Sequence, residues 1–320
     1  MKTTFLTLIL ALAWLLQSSS CLALTPWLAD VAYGDKPAQK FDLYKPQGAG
    51  PFPVLMYIHA GGWQSGDKKW FMGDPDINRF LDAGIAVVSI NYRFLGEAAK
   101  DGLFPPVLGP FHDARRALQT LRHRAKEWAL DPANIAVAGS SAGACTALWL
   151  ALSPETADPQ AADPVARMST RVVAAGTHGA QTSLDPAQIR QWNPETAYGA
   201  RAFGLWDVTK EQFEAFLKKR PEFEKYFATV SPAALLSPDD PPIFLAYGSA
   251  LDEPKKDANY YIHSPAWGIG FEKLAKEKGV VCHLAYKGHP AEGYENRDLF
   301  DFLIERLKVA AAGASRRSAP

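Results

Sequence analysis

Short apolar runs alternate with stretches of helical period along most of the chain. The runs at 54–58, 85–91, 135–138, 172–176, 243–247 and 281–286 are largely apolar and end near Gly, Pro, Asn or Asp, which predicts strands. Between or after them, 77–83, 112–128, 142–152 and 268–278 place apolar residues on one helical face, and a last helix is predicted over about 296–310. Two earlier stretches, 30–34 and 39–44, predict an antiparallel entry pair. This alternation predicts an α/β fold, a mostly parallel sheet with helices on both faces, whose ligands gather at the carboxyl ends of the strands. The segment at about 185–231 breaks the rhythm. It is rich in aromatic and charged residues, has no strand-like run and contains one helical stretch near 210–219, so it is expected to form a cap over that edge.

The first 23 residues differ from the rest. Lys2 is their one charge, 5–16 is nearly all apolar, and 18–23 is small and mostly polar. That layout predicts a secretory signal peptide cut after Ala23, with a lipoprotein signal ending at Cys21 as the alternative. The apolar run is shorter than a membrane span of about 18 residues or more. The expected product is therefore extracytoplasmic, in the periplasm or the medium, with no stable membrane insertion. A domain over 24–310 and a disordered tail over 311–320 complete the expected organisation. The 320 residues carry 34 basic and 34 acidic side chains, a balance that argues against nucleic-acid partners. Of the three cysteines, Cys145 and Cys282 fall in the expected domain, and no metal-ligand spacing accompanies them, so neither metal nor cofactor is expected.

The candidate chemistry lies where the third central run meets a helix, in Gly139-Ser140-Ser141-Ala142-Gly143. A strand turning sharply into a helix exposes the central residue of G-x-S-x-G and crowds the positions two before and two after it. Ser141 occupies that centre and Ser140 is displaced from it. A serine nucleophile also needs a base, a group that orients the base and donors for an oxyanion. His59-Ala60-Gly61-Gly62-Trp63 follows the first central run directly, and the amides of Gly61, Gly62 and Ala142 are the expected donors. His59, placed before that loop, is expected to be a structural hydrogen-bonder.

With these motifs on the page, the chain resembles the α/β-hydrolase superfamily, in particular the esterases related to hormone-sensitive lipase. It looks closest to their feruloyl-esterase-like (BD-FAE-like) branch. The resemblance rests on "YIHAGGWQSGDKK", "GIAVVSINYRF", "FPPVLGPFHDARRALQTLRHRAKEWALDPANIAVAGSSAGA" and "SPAALLSPDDPPIFLAYGS", and extends over most of 40–305. It implies an α/β-hydrolase fold and a Ser-His-Asp acyl-enzyme mechanism. Ala60 departs from the usual H-G-G-G loop, a change tolerated if the position needs no positive φ. The family's acid follows the strand "PPIFLAYG" and commonly lies three residues after the Gly, whereas here the first acid, Asp252, lies four after Gly248. Asp252 is the expected orienting acid, with Glu253 and Asp257 behind it. Gly288-His289 matches the family's terminal Gly-His, which makes His289 the expected base. His283 is expected to be packed within its strand, and His263 is the rival, placed as a possible pocket residue because it precedes a helix.

The expected function is a secreted serine carboxylesterase acting on a small-molecule or polysaccharide ester, acetyl or feruloyl. Trp63, Trp70, Phe71, Trp192, Tyr198, Phe203, Trp206 and Trp267 offer rings for packing or for stacking on such a substrate, with Trp63 and Trp267 as candidate contacts. The alternatives are a catalytically retired, carbohydrate-binding hydrolase fold and an exopeptidase of the same fold.

Overall fold

Eight strands form a single sheet in the computed structural model, which describes residues 24–73, 76–253 and 256–317. The leader expected at 1–23 lies outside the described residues. The strands are β1 (Leu28–Ala32), β2 (Lys40–Tyr44), β3 (Phe52–Ile58), β4 (Ala86–Ile90), β5 (Leu130–Ser140), β6 (Ala175–His178), β7 (Ile243–Tyr247) and β8 (Cys282–Tyr286). Their order is β1-β2-β4-β3-β5-β6-β7-β8. β1 and β2 form the antiparallel entry, β2 joins β4 antiparallel, and every later pairing is parallel. The fold is that of an α/β hydrolase.

Parallel strands covered on both faces read as continuous apolar runs, and the core shows why. Val54, Met56 and Ile58 of β3 pack in one cluster with Val88 and Ile90, while Leu55 packs on the opposite face with Val87 and Ala136. The strand predicted at 172–176 instead pairs from Ala175 to His178. Its final positions are the polar Thr177 and His178, so apolarity marks only its approach. The stretch predicted as one helix over 112–128 is two, Leu108–His123 and Ala125–Trp128, separated at Arg124. The last helix runs over Leu299–Arg317, past the end expected at 310, in keeping with the high helix propensity of its alanines.

The segment at 185–231 forms the helices Pro186–Trp192, Lys210–Lys218 and Arg220–Val230, with a 3-10 turn at Ala200–Phe203. Phe203, Phe216, Phe223 and Phe227 pack on one another, with Phe203 5.1 Å from Phe216 and 5.2 Å from Phe227 between ring centroids. The cap is fixed to the body by Val107 N–H donating to the Ala202 carbonyl at 3.2 Å and Trp149 Nε1–H donating to Thr229 at 2.8 Å.

Two polar networks explain the charged letters in the quoted stretches. Arg93, just after β4, forms a fork with Asp113 of the helix Leu108–His123, with Nη2–Oδ1 at 2.6 Å and Nε–Oδ2 at 3.0 Å. Gln39 Nε2 donates to the same carboxylate at 2.7 Å. Lys68, 2% exposed, places its ammonium 2.7 Å from Asp42 and 3.1 Å from Asp30. The Lys68 amide donates to Asn91 and its carbonyl accepts from Ser89. The loop after β3 is thereby tied to β2 and β4, with the Lys68–Asp42 pair buried and the Asp30 carboxylate reaching it from the surface.

Removing one member of a buried ion pair leaves an uncompensated charge, at a cost of about 3–5 kcal/mol. Lys68→Met is expected to lower unfolding free energy by that amount in chemical denaturation. A loss below about 1 kcal/mol would show that the Asp30 and Asp42 carboxylates find other compensation.

Candidate active site

β5 ends at Ser140, and the helix Ala142–Leu152 starts two residues later. Ser141 lies between them at φ 52° and ψ −117°, backbone angles an L residue holds only when its surroundings impose them. Its amide donates to the His178 carbonyl at 2.9 Å, and its carbonyl accepts from the Cys145 amide at 3.0 Å. The flanking glycines are enforced by contact. A Cβ on Gly139 would stand 2.5 Å from the Gly143 carbonyl, and one on Gly143 would stand 2.1 Å from the Ile58 carbonyl oxygen. Ser140 instead lines a separate cavity of about 520 Å³ with Tyr57 and His178.

Close packing of the elbow on β3 brings in the next loop. Gly61 and Gly62 take φ of 114° and 60°. Ala60 takes no positive φ, so the departure from a third glycine carries no backbone strain. The Gly61 carbonyl accepts from the Gln64 and Ser65 amides at 3.0 and 3.1 Å. Among the described residues no backbone carbonyl accepts from the Gly61, Gly62 or Ala142 amide. The last of these opens a helix, whose first amides have no intrahelical partner. These are the three donors expected from the sequence. His59 is buried beneath the loop, its Nδ1 2.7 Å from the Ala60 carbonyl and its ring stacked on Tyr92 at 4.4 Å. Burial holds its pKa below the ordinary value, as befits a neutral structural residue.

The base is where the structure departs from expectation. Ser141 Oγ lies 2.9 Å from Nε2 of His263. His263 ends the short helix Ala258–Ile262, which the Asp257 side chain caps by accepting from the Tyr260 amide at 2.9 Å. Nδ1 of His263 lies 3.2 Å from the Asn259 carbonyl oxygen. A carbonyl can only accept, so Nδ1 carries the proton and Nε2 is left as the acceptor facing the serine. Gly179, at φ 63°, gives the ring its room: a Cβ there would stand 3.1 Å from the imidazole. Burial is the main cause of a lowered His263 pKa, the Asn259 bond opposes it, and nearby His178 acts in the same direction as burial.

His289, the expected base, is exposed and turned away. Gly288 takes φ 83°, and His289 N–H donates to the Tyr286 carbonyl at 2.7 Å while Tyr286 N–H donates to the His289 carbonyl at 2.9 Å. This closed turn stacks the imidazole on Tyr286 at 4.6 Å rather than carrying it over the sheet edge. Asp252 is exposed and makes no hydrogen bond or ion pair among the described residues. Glu253 accepts from the Ala250 amide at 3.0 Å and faces Lys287 at 3.4 Å. No carboxylate therefore holds His263 among the described residues; a main-chain carbonyl does. Trp63 and Trp267 are likewise not substrate contacts. Both are fully buried, Trp63 donating to Thr146 Oγ1 and Trp267 to the Tyr261 carbonyl, each at 3.0 Å. The second of these bonds helps anchor the turn that carries His263. His283 is packed against Phe244, Tyr294 and Phe302, as expected.

The BD-FAE family model matches residues 41–253, from β2 through the end of the acid loop. The chain belongs to the BD-FAE family. The BD-FAE match covers Ser141 and the loop that follows β3 and stops before both His263 and His289. Gut esterase 1 of Caenorhabditis elegans is 28% identical over 169 residues, 49% of this chain and 29% of that protein. The probable carboxylic ester hydrolase LipM of Mycobacterium tuberculosis is 26% identical over 237 residues, 68% of this chain and 47% of that protein. The chain spans less than half the length of these curated relatives. A truncated form of a carbohydrate esterase from gut microbiota shares the fold, with TM-score 0.63 and 18% identity, over 89% of this chain and 97% of that one.

A buried imidazole with a lowered pKa titrates below its ordinary value near 6.5. NMR titration of His263 in this BD-FAE member is expected to give a midpoint below that value, with the neutral ring protonated on Nδ1. A midpoint above 7 would require an anionic partner that this geometry lacks.

Proposed function

We propose that the protein is a serine carboxylesterase working through a Ser141–His263 pair. The observation that carries this is the 2.9 Å contact between Ser141 Oγ and His263 Nε2 beside three free amide donors. In the proposed reaction His263 Nε2 takes the hydroxyl proton as Oγ bonds to the ester carbonyl carbon. The oxyanion rests on the Gly61, Gly62 and Ala142 amides, aided by the positive end of the helix dipole. His263 then returns the proton to the leaving alkoxide, and an acyl-enzyme remains. Water, giving its proton to His263, attacks the acyl carbon; the acid leaves and Ser141 recovers its proton. The Asn259 carbonyl fixes the imidazole tautomer, the positioning role of the acid in a triad, although it does not supply a full negative charge.

The esterase names of the curated relatives support this reading, and an acetyl or feruloyl ester on a polysaccharide is the substrate proposed with it. Of the rings named from the sequence, Trp70 and Trp206 are exposed, at 57% and 42%, and are the ones proposed to stack on such a substrate. Export is proposed with it, resting on residues 1–23 alone. That a carbonyl, and no carboxylate among the described residues, meets His263 Nδ1 favours one second reading, a retired hydrolase fold that binds carbohydrate.

Hydrolysis of 4-nitrophenyl acetate separates the two. The protein is expected to be active, Ser141→Ala to be at background, and His263→Ala to lose about 1,000-fold or more, in line with removal of a nucleophile's base. His289→Ala is expected to retain activity within about threefold of the parent. Loss in His289→Ala with retention in His263→Ala would reverse the assignment of the base. No turnover above Ser141→Ala would leave the binding reading.

A further inference from the structure

Arg201 is a cation placed at the donor loop without a counter-ion among the described residues. It lies in the cap, on the 3-10 turn Ala200–Phe203, half-buried. Its Nη1 stands 2.8 Å from where a Cβ on Gly62 would be. The guanidinium therefore rests against the backbone of an expected oxyanion donor, and a side chain at position 62 would displace it. The guanidinium carbon is 5.9 Å from the centre of the buried Tyr198 ring, and Arg201 Nε is buried with no hydrogen-bond partner. Other arginines contrast with this: Arg79, Arg93 and Arg220 each hold a carboxylate in two-point contact or better. Arg201 faces no Asp or Glu within ion-pair distance among the described residues.

A partly desolvated guanidinium is costly unless an anion meets it, and its planar fork matches a carboxylate in two-point contact. We propose that Arg201 is a specificity residue that binds a carboxylate on the substrate, so that the ester acted on carries a negative charge close to the bond being cleaved. The proposal rests on the esterase reading and narrows it to esters that keep a free carboxylate, such as uronic acids acylated on a hydroxyl or half-esters of dicarboxylic acids. Arg201 would hold the substrate's anionic end while the Gly61, Gly62 and Ala142 amides hold the reacting carbonyl oxygen.

Turnover and binding test this separately. The turnover arm compares 4-nitrophenyl hydrogen succinate, charged on the acyl side, and 4-acetoxybenzoate, charged on the alcohol side, with neutral 4-nitrophenyl pentanoate and 4-nitrophenyl acetate. The parent is expected to favour one charged ester over its neutral counterpart. Arg201→Met is expected to lose about 10- to 100-fold in kcat/KM on that ester, the range for a hydrogen bond to a charged group, and to change within about threefold on the neutral ones. Arg201→Lys is expected to recover part of the loss. Equal losses on charged and neutral esters, or no preference for either charged ester in the parent, would overturn the proposal. The binding arm uses Ser141→Ala, which needs no turnover. Calorimetry with the same four esters is expected to show tighter binding of a charged one, abolished by adding Arg201→Met. If turnover fails throughout and this difference persists, the esterase reading falls and the carboxylate site stands. If neither charged ester binds more tightly, the carboxylate site falls whatever the turnover arm shows.

Discussion

The site depends on how closely three lengths of backbone approach one another. The Gly143 Cα lies so near the Ile58 carbonyl that a Cβ would come within 2.1 Å of it, and Gly139 meets Gly143 in the same way. No side chain fits between the end of β3 and the start of the helix Ala142–Leu152. That contact fixes the helix N-terminus against the loop that begins at His59, so the Ala142 amide and the Gly61–Gly62 amides belong to one rigid unit. It also forces Ser141 to a positive φ, which lifts its side chain off the sheet. Such a conformation costs of order 1–3 kcal/mol, and the surrounding core, buried on both faces of the sheet, offsets it.

The parts of this arrangement that could be read from the sequence are those whose cause is local. The elbow glycines, the donor loop and the apolar strands each answer to a contact or a period spelled out within a few residues. The base is different. Gly288-His289 and His263 each follow a short apolar element, and only the path of the chain separates them. A two-residue turn closed by Tyr286 and His289 holds one imidazole outside, and a five-residue helix ending at His263 brings the other in. Neither outcome follows from residue type. Trp63 and Trp267 show the same limit: an indole beside a glycine loop suits a binding face and a core equally, and the partners at Thr146 and Tyr261 are distant enough in sequence or concealed enough in the turn to leave no pattern.

Replacing a carboxylate by a carbonyl at the base alters the electrostatics more than the geometry. Both accept the Nδ1 proton and fix the tautomer. A carboxylate also lowers the energy of the imidazolium formed when the serine proton is taken, whereas a carbonyl offers only its dipole. The burial and the His178 field that depress the His263 pKa act in the same sense, towards a neutral resting ring. The proposed chemistry thus pairs a correctly oriented but weak base with a firmly built oxyanion site, and it places more of the barrier reduction on the amides.

The short helix before His263 has a further consequence. The sheet carries Ser141 and the donor loop, yet the proposed base arrives on one turn of helix whose Tyr260 amide is held by the Asp257 carboxylate, whose Asn259 and Tyr260 carbonyls accept from the His263 amide, and whose Tyr261 and Ile262 carbonyls accept from the side chains of Trp267, Asn193 and Gln181. Order in that turn and alignment of the imidazole are one property. The imidazole keeps its place only while Trp267, Asn193 and Gln181 hold that turn to the body, so the alignment of Nε2 with Oγ is inherited from packing that lies outside the sheet.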